Sequence, residues 1–209
     1  HELRTPLAVM RANLDSLERR AGEDSELAVP LERIRRTVGD MEKLLETLLI
    51  LAREDESRLP REGVIINDLL SERISQLGRA MGDDGARINL HAECLLQIHA
   101  PTRVLAIIFD NIIRNAVRYS DDDTVSVRVA PGLVEVRDRG PGMDEQLLKH
   151  VFEPFHRGDS SEPGFGLGLA IVKRLCDRFG WSVEIDTAVG RGTTVKILLP
   201  DAEVIGQKR

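Results

Sequence analysis

The chain opens on His1-Glu2-Leu3-Arg4-Thr5-Pro6, which sets an imidazole beside a carboxylate and could make it a nucleophile toward a phosphoryl group. Free imidazole has a pKa of about 6.5, so at neutral pH it is mostly uncharged and one ring nitrogen is nucleophilic. Glu2 stands next to it and can accept the proton from the other nitrogen. Thr5 follows one helical turn later, within reach to orient a water molecule. Pro6 cannot donate to the Glu2 carbonyl, so it weakens or kinks a helix just past the site.

Three further segments carry chemically suggestive spacing. Asn111 and Asn115 lie four apart in a helical pattern and so share a face, with Arg118 and Tyr119 following on the same side. A neutral amide oxygen can ligate Mg²⁺, and an arginine fork can hold phosphate oxygens. Asp138-Arg139-Gly140-Pro141-Gly142 places a carboxylate at a strand end before two glycines. Such a carboxylate can accept a hydrogen bond from an exocyclic amine, while glycine lets backbone approach a flat ring. Gly164-Phe165-Gly166-Leu167-Gly168 feeds a helix, whose first N–H groups and partial positive charge suit phosphate. In isolation each pattern also fits a blander reading: a solvated helix face, an Asp-x-Gly turn, a glycine loop.

Together and in this order, the segments resemble the H, N, G1 and G2 boxes of bacterial sensor histidine kinases, and Phe152-Glu153-Pro154-Phe155 resembles their F box. The resemblance spans nearly the whole chain. It implies ATP and Mg²⁺ as cofactors, with Asn115 on the metal, Asn111 beside it, and Arg118 and Tyr119 flanking phosphates and adenine. It implies that Asp138 reads the adenine amino group, with Gly140 and Gly142 beside it. Gly164, Gly166, Leu167 and Gly168 would then cradle phosphates. Gly190-Arg191-Gly192-Thr193 resembles the closing segment that puts a threonine, here Thr193, near adenine. Residues from about Met143 to Pro163 would be the ATP lid, packed by Phe152 and Phe155. Phe165 departs from a position that is often small or threonine in the family. The resemblance further implies autophosphorylation of His1, transfer to an aspartate of a response-regulator receiver domain and, from the HExxT pattern, phosphatase activity toward that regulator.

The elements that must position these groups fall into two blocks. Leu3, Leu7, Met10, Leu14 and Leu17 recur at intervals of three and four, as do Leu27, Leu31, Ile34, Val38, Met41, Leu45, Leu48 and Ala52. This is a bundle seam, whose period near 3.5 keeps one apolar stripe facing a partner. The polar link Ala21-Gly22-Glu23-Asp24-Ser25 makes the two helices an antiparallel hairpin. One hairpin buries too little surface alone, which predicts a homodimeric four-helix bundle over residues 1–56. A polar linker with breakers covers 57–63. Mixed strands and helices over 64–201 predict an α/β sandwich, the GHKL (Bergerat) ATP-binding fold by resemblance, and 202–209 reads as a tail. Within it the patterns predict helices from about Asp68 to Ala80, Pro101 to Tyr119 and Gly168 to Phe179, the last ending at Gly180. Strands are predicted near Val64–Ile66, Arg87–Leu90, Leu95–Ile98, Val125–Val129, Leu133–Val136, Val183–Asp186 and Thr194–Leu199.

Composition narrows the function classes. The net charge of -6 over 209 residues argues against a nucleic-acid-binding surface, which needs a basic patch. Cys94 and Cys176 have neither zinc spacing nor disulfide density and read as buried inert thiols in a reducing, cytoplasmic setting. No run approaches the ~20 apolar residues of a membrane span. The helical pattern beginning at His1 has no cap before it, so the natural chain is expected to continue upstream, and the family resemblance implies a parent protein anchored in the bacterial inner membrane. Two rivals share parts of the pattern. A mechanical GHKL ATPase would have no use for His1, and a non-catalytic nucleotide-binding scaffold would not transfer phosphate.

Overall fold

The computed structural model describes residues 4–21, 27, 30–31, 34–35, 37–39, 41, 59–81, 87–120, 124–156 and 166–207. His1, Glu2, Gly164 and Phe165 lie outside the described residues, and of Thr5 only the helical backbone is described. The chain divides into two compact units, His1–Glu56 and Ser57–Arg209.

In the first unit, helix α1 runs Arg4–Ala21. Residues 30–31, 34–35, 37–39 and 41 are also helical, and the Leu31 N–H donates to the Leu27 carbonyl at 2.9 Å. Leu14, Leu31 and Val38 are buried in one cluster. The residues that alternate with them in the same stripes (Met10, Leu17, Leu27, Ile34 and Met41) remain between 42 and 58% exposed. One chain therefore satisfies only every second position of its described apolar stripe. Among the described residues no helix is long and apolar enough to cross a membrane.

The second unit is built on two sheets. Strands β1 (Glu62–Ile65), β3 (Cys94–Ala100) and β8 (Glu203–Gln207) form an antiparallel sheet in the order β1-β3-β8. Strands β2 (Arg87–Ala92), β4 (Thr124–Ala130), β5 (Leu133–Arg137), β6 (Ser182–Thr187) and β7 (Thr193–Leu198) form the larger one, ordered β2-β4-β5-β7-β6. Among the described strands only the β2–β4 pair is parallel. Helices α2 (Ile66–Met81), α3 (Thr102–Tyr119), α4 (Glu145–His150) and α5 (Gly168–Phe179) complete the unit, with α3 packed against α2, α5, β4 and β5.

Periodicity explains this packing. In β4, Val125, Val127 and Val129 are buried while Ser126 between them is exposed, the alternation of a strand with one face on a core. Val134 and Val136 of β5 and Val195 and Ile197 of β7 continue that buried face. On α3, Val104, Leu105, Ile108, Phe109, Ile112, Ile113 and Ala116 are all buried, two adjoining ridges rather than one narrow stripe. Full burial of each larger side chain contributes about 1.5–3 kcal/mol, so α3 is the most heavily anchored helix of the unit. Helix α5 stops where Gly180 takes φ 73°, a left-handed C-cap that an L side chain resists.

Three expectations from the sequence need correction. Residues 203–207 are a strand, not a tail: Val204 and Ile205 favour extended backbone, and β3 would otherwise leave one edge without a ladder. The linker gives Glu62 and Gly63 to β1, opposite Ala100 and His99. Its preceding residues are docked as well, for Leu59 is buried and the Arg61 guanidinium lies 5.8 Å over Phe179, which stacks on Trp181 at 5.2 Å. Finally, Phe155 does not pack the lid segment. It is 69% exposed with φ 64°, while Phe152 is half-buried.

Candidate nucleotide site

Helix α3 carries a polar face beside its buried ridges, and two loops meet the helix along it. At the N-terminus of α5, Gly168 lies against Asn111 and Asn115: a Cβ there would stand 3.1 Å from Asn111 Oδ1 and 3.4 Å from Asn115 Nδ2. The Asn111 amide is oriented by donating its Nδ2–H to the Ile107 carbonyl at 2.8 Å. No side chain caps α5 at Leu167, so the first turn presents its N–H groups and the positive end of the helix dipole beside two neutral amides.

One turn further along α3, the second loop arrives. A Cβ on Gly140 would lie 1.8 Å from the Tyr119 carbonyl oxygen, so only glycine allows this backbone approach. The sequence suggested that these glycines make room for a flat ring. At Gly140 and Gly142 the close neighbour is instead backbone, that of Tyr119 and Ala188 respectively. Arg118 and Tyr119 close α3, both exposed, with the guanidinium 5.9 Å over the phenol ring.

Asp138 follows β5 and is 6% exposed. Its Oδ1 accepts the N–H of Gly140 at 2.9 Å and that of Thr193 at 3.0 Å, and its own N–H donates to the Thr193 carbonyl at 2.9 Å. The β5–β7 ladder, which pairs Arg137 with Thr194, is thereby extended by one residue. Two backbone donors on one oxygen hold the carboxylate in a single orientation.

The segment expected to form the lid is described over residues 143–156. Asp144 caps α4 by accepting the Leu147 N–H at 2.7 Å. The Phe155 N–H donates to the Gly166 carbonyl at 3.0 Å, joining the two ends of the interval 157–165. Between them the His150 Nδ1 lies 2.9 Å from Glu153 Oε1, and this hydrogen bond lowers the Glu153 carboxyl below its ordinary range.

The described residues expected to bind nucleotide thus fall into two groups beside α3. Asn111, Asn115, Leu167 and Gly168 gather at the α5 end, and Tyr119, Asp138, Gly140, Gly142 and Thr193 at the other. Gly166, at φ 66°, ends the loop before α5. Sequence reasoning missed Thr187, whose hydroxyl joins Met143, Gly192 and Thr193. A threonine ending a strand carries no motif, and its partners are 5 to 44 residues away.

The chain matches two known families, several curated relatives and several solved structures. Residues 101–203 match the family described as histidine kinase-, DNA gyrase B-, and HSP90-like ATPase, and residues 1–57 match the His Kinase A (phospho-acceptor) domain. The chain belongs to the sensor histidine kinases. A mechanical ATPase of the same fold would not carry the phosphoacceptor unit. Relatives include the sensor protein PfeS of Pseudomonas aeruginosa, 37% identical over 86% of this chain and 41% of its own length. The phosphate regulon sensor protein PhoR of the same organism is 30% identical over the whole chain and 50% of its own length. The chain thus spans about half the length, or less, of these two relatives. Among solved structures, full-length ShkA in complex with AMPPNP covers the whole chain with TM-score 0.71 and 26% identity, over 45% of its own length. The mycobacterial sensor histidine kinase MprB gives 0.57 and 29% identity over 71% of this chain and 99% of its own.

Proposed function

We propose that the chain is a kinase core that binds Mg-ATP along α3 and transfers the γ-phosphate to His1. The observation that carries this reading is the order of groups on α3. Asn111 and Asn115 meet the α5 N-terminus, and Tyr119 meets the Asp138 loop about 6 Å further along at 1.5 Å per residue. That order suits a ligand with anionic groups at one end and an amine-bearing base at the other. The AMPPNP held by ShkA is such a ligand.

In this reading Asp138 accepts the adenine amino group while Thr193 lies beside the base, and Gly140 and Gly142 bring the loop against α3. Tyr119 and Arg118 flank the base and phosphates. Gly164, Gly166, Leu167 and Gly168 surround the phosphates through backbone N–H groups. Among the described residues no cluster of three His, Cys, Asp or Glu side chains could hold a metal. Mg²⁺ fits without one, because it keeps several waters and binds through phosphates and one or two protein oxygens. Asn115 is the protein ligand, and the ion when bound neutralises phosphate charge. The chain's own contribution is positioning and electrostatics at the α5 N-terminus.

His1 is the nucleophile, with Glu2 taking its second ring proton as transfer proceeds. The phosphoryl group then passes to an aspartate of a response-regulator receiver domain. Thr5, by orienting a water, supports dephosphorylation of that regulator. The exposed half of the described stripe supports a homodimer, and the parent protein is a membrane-anchored sensor whose core faces the cytoplasm. Label from γ-labelled ATP should appear on the wild type and be absent from His1→Gln. Equal labelling of the two would refute the assignment of His1. In the same assay Glu2→Ala should lose about 10²–10⁴-fold in labelling, the usual worth of a general base. Thr5→Ala should keep labelling and lose regulator dephosphorylation.

A further inference from the structure

Thr187 ends β6 and its hydroxyl meets three groups. The Met143 N–H donates to Oγ1 at 3.0 Å, Oγ1 donates to the Gly192 carbonyl at 3.0 Å, and Thr193 Oγ1 lies 3.1 Å away. Each neighbour belongs to a different part of the candidate site. Met143 opens the lid segment, Gly192 precedes β7, and Thr193 supplies the N–H that holds Asp138 Oδ1.

A hydroxyl has one proton and two lone pairs. With its proton on the Gly192 carbonyl, Thr187 can only accept from the other two, so the Thr193 hydroxyl donates to it. Thr187 is then saturated, and the one hydroxyl proton of Thr193 is committed. A base that draws that proton toward its own ring nitrogen removes one of two donors from Thr187. The remaining lone-pair density then serves the Met143 N–H alone.

We propose that Thr187 is a positioning residue that couples occupancy of the adenine pocket to the root of the lid at Met143. This rests on the reading of the site as an ATP pocket. The coupling needs no large movement, since a change of partner at one hydroxyl alters how tightly the Met143 amide is held.

Amide hydrogen exchange across residues 143–156 tests this on the full 209-residue chain, free and with a non-hydrolysable ATP analogue plus Mg²⁺. In the wild type the analogue should slow exchange at Met143. Thr187→Val keeps the shape and removes the hydroxyl. It should show no ligand-dependent slowing at Met143 when saturated with the analogue, while binding is not weakened by loss of the hydroxyl, since the Thr193 proton is then free for the base. Thr187→Ser should restore the slowing. A purely structural role would lower the melting temperature without removing the ligand-dependent difference. If Thr187→Val does not fold, Thr187→Cys, with a poor hydrogen-bonding group of similar size, takes its place. Wild-type slowing in the Val or Cys variant overturns the proposal, and so does a Ser variant as defective as Val. A wild type that binds no analogue overturns the nucleotide reading itself, a result visible before any variant is made.

Discussion

The Cα of Gly168 lies so close to the Asn111 amide that one added methyl would stand 3.1 Å from its Oδ1. This spacing sets how near the α5 N-terminus comes to the polar face of α3, and it separates stability from function. Alanine is the better helix former, but at the first residue of α5 the difference is below the ~1 kcal/mol of a helix interior, so Gly168→Ala should change the stability of α5 little. The Asn111 side chain must give by a few tenths of an ångström, however. Since a 1 Å misplacement can cost about 10²-fold, we expect roughly tenfold slower phosphoryl transfer. Melting curves and label incorporation check the two halves, and an unchanged rate would remove the spacing from the argument.

Asn115 and Asp138 sit at opposite ends of the site and should fail differently. Asn115→Asp should mainly impair phosphoryl transfer and alter its magnesium dependence. Asp138→Asn removes a charged acceptor worth about 1.5–3 kcal/mol, so affinity for the base should fall about 10–150-fold. Calorimetric titration with a non-hydrolysable analogue, with and without Mg²⁺, distinguishes them. Full affinity and unaltered metal dependence in both would refute the site.

The alternation of buried and exposed positions in the first unit gives two classes of variant. Val38 is buried within one chain, whereas Ile34 and Met41 are half exposed in it. Val38→Glu buries an unpaired charge and should unfold the unit at a cost of several kcal/mol. Ile34→Glu and Met41→Glu should leave a folded chain that no longer dimerises. Light scattering with circular dichroism reads both, and a wild type that is monomeric at micromolar concentration would end the dimer reading.

Both cysteines should resist thiol reagents in the native protein. Burial pushes the Cys176 thiol up to about 12, with Asp177 adding to the shift, and burial also raises Cys94. The thiolate is the reactive form. At pH 8 a group with a pKa near 12 is ionised in about one molecule in ten thousand, and reaction should follow unfolding. Rapid stoichiometric labelling of the folded chain would contradict this placement.

Local periodicity made much of the fold legible. The paired ridges of α3, the alternation in β4 and the left-handed stop at Gly180 all depend on near neighbours in sequence. What escaped depends on distant partners. Val204 pairs with Leu96, more than a hundred residues earlier, and nothing in the short segment 202–209 announces that ladder. Asn67 reads as a polar residue near a helix start. It is in fact buried, its amide donating to the Cys94 carbonyl and accepting the Leu96 N–H, in the manner of a neighbouring strand. The same limit applies at the site. Asp138 and Gly140 could be singled out from type and spacing, but the reason for Gly140, the carbonyl of Tyr119, could not.

The two N–H groups on Asp138 Oδ1 also bear on how a ligand is met. A carboxylate on an open surface samples several rotamers and must give them up on binding, at about 0.5–1.5 kcal/mol for each side chain immobilised. At Asp138 the restriction is imposed by the strand ends of β5 and β7 as the sheet forms. Its conformational entropy is lost in folding, so under the proposed nucleotide reading the acceptor is aimed before a base arrives.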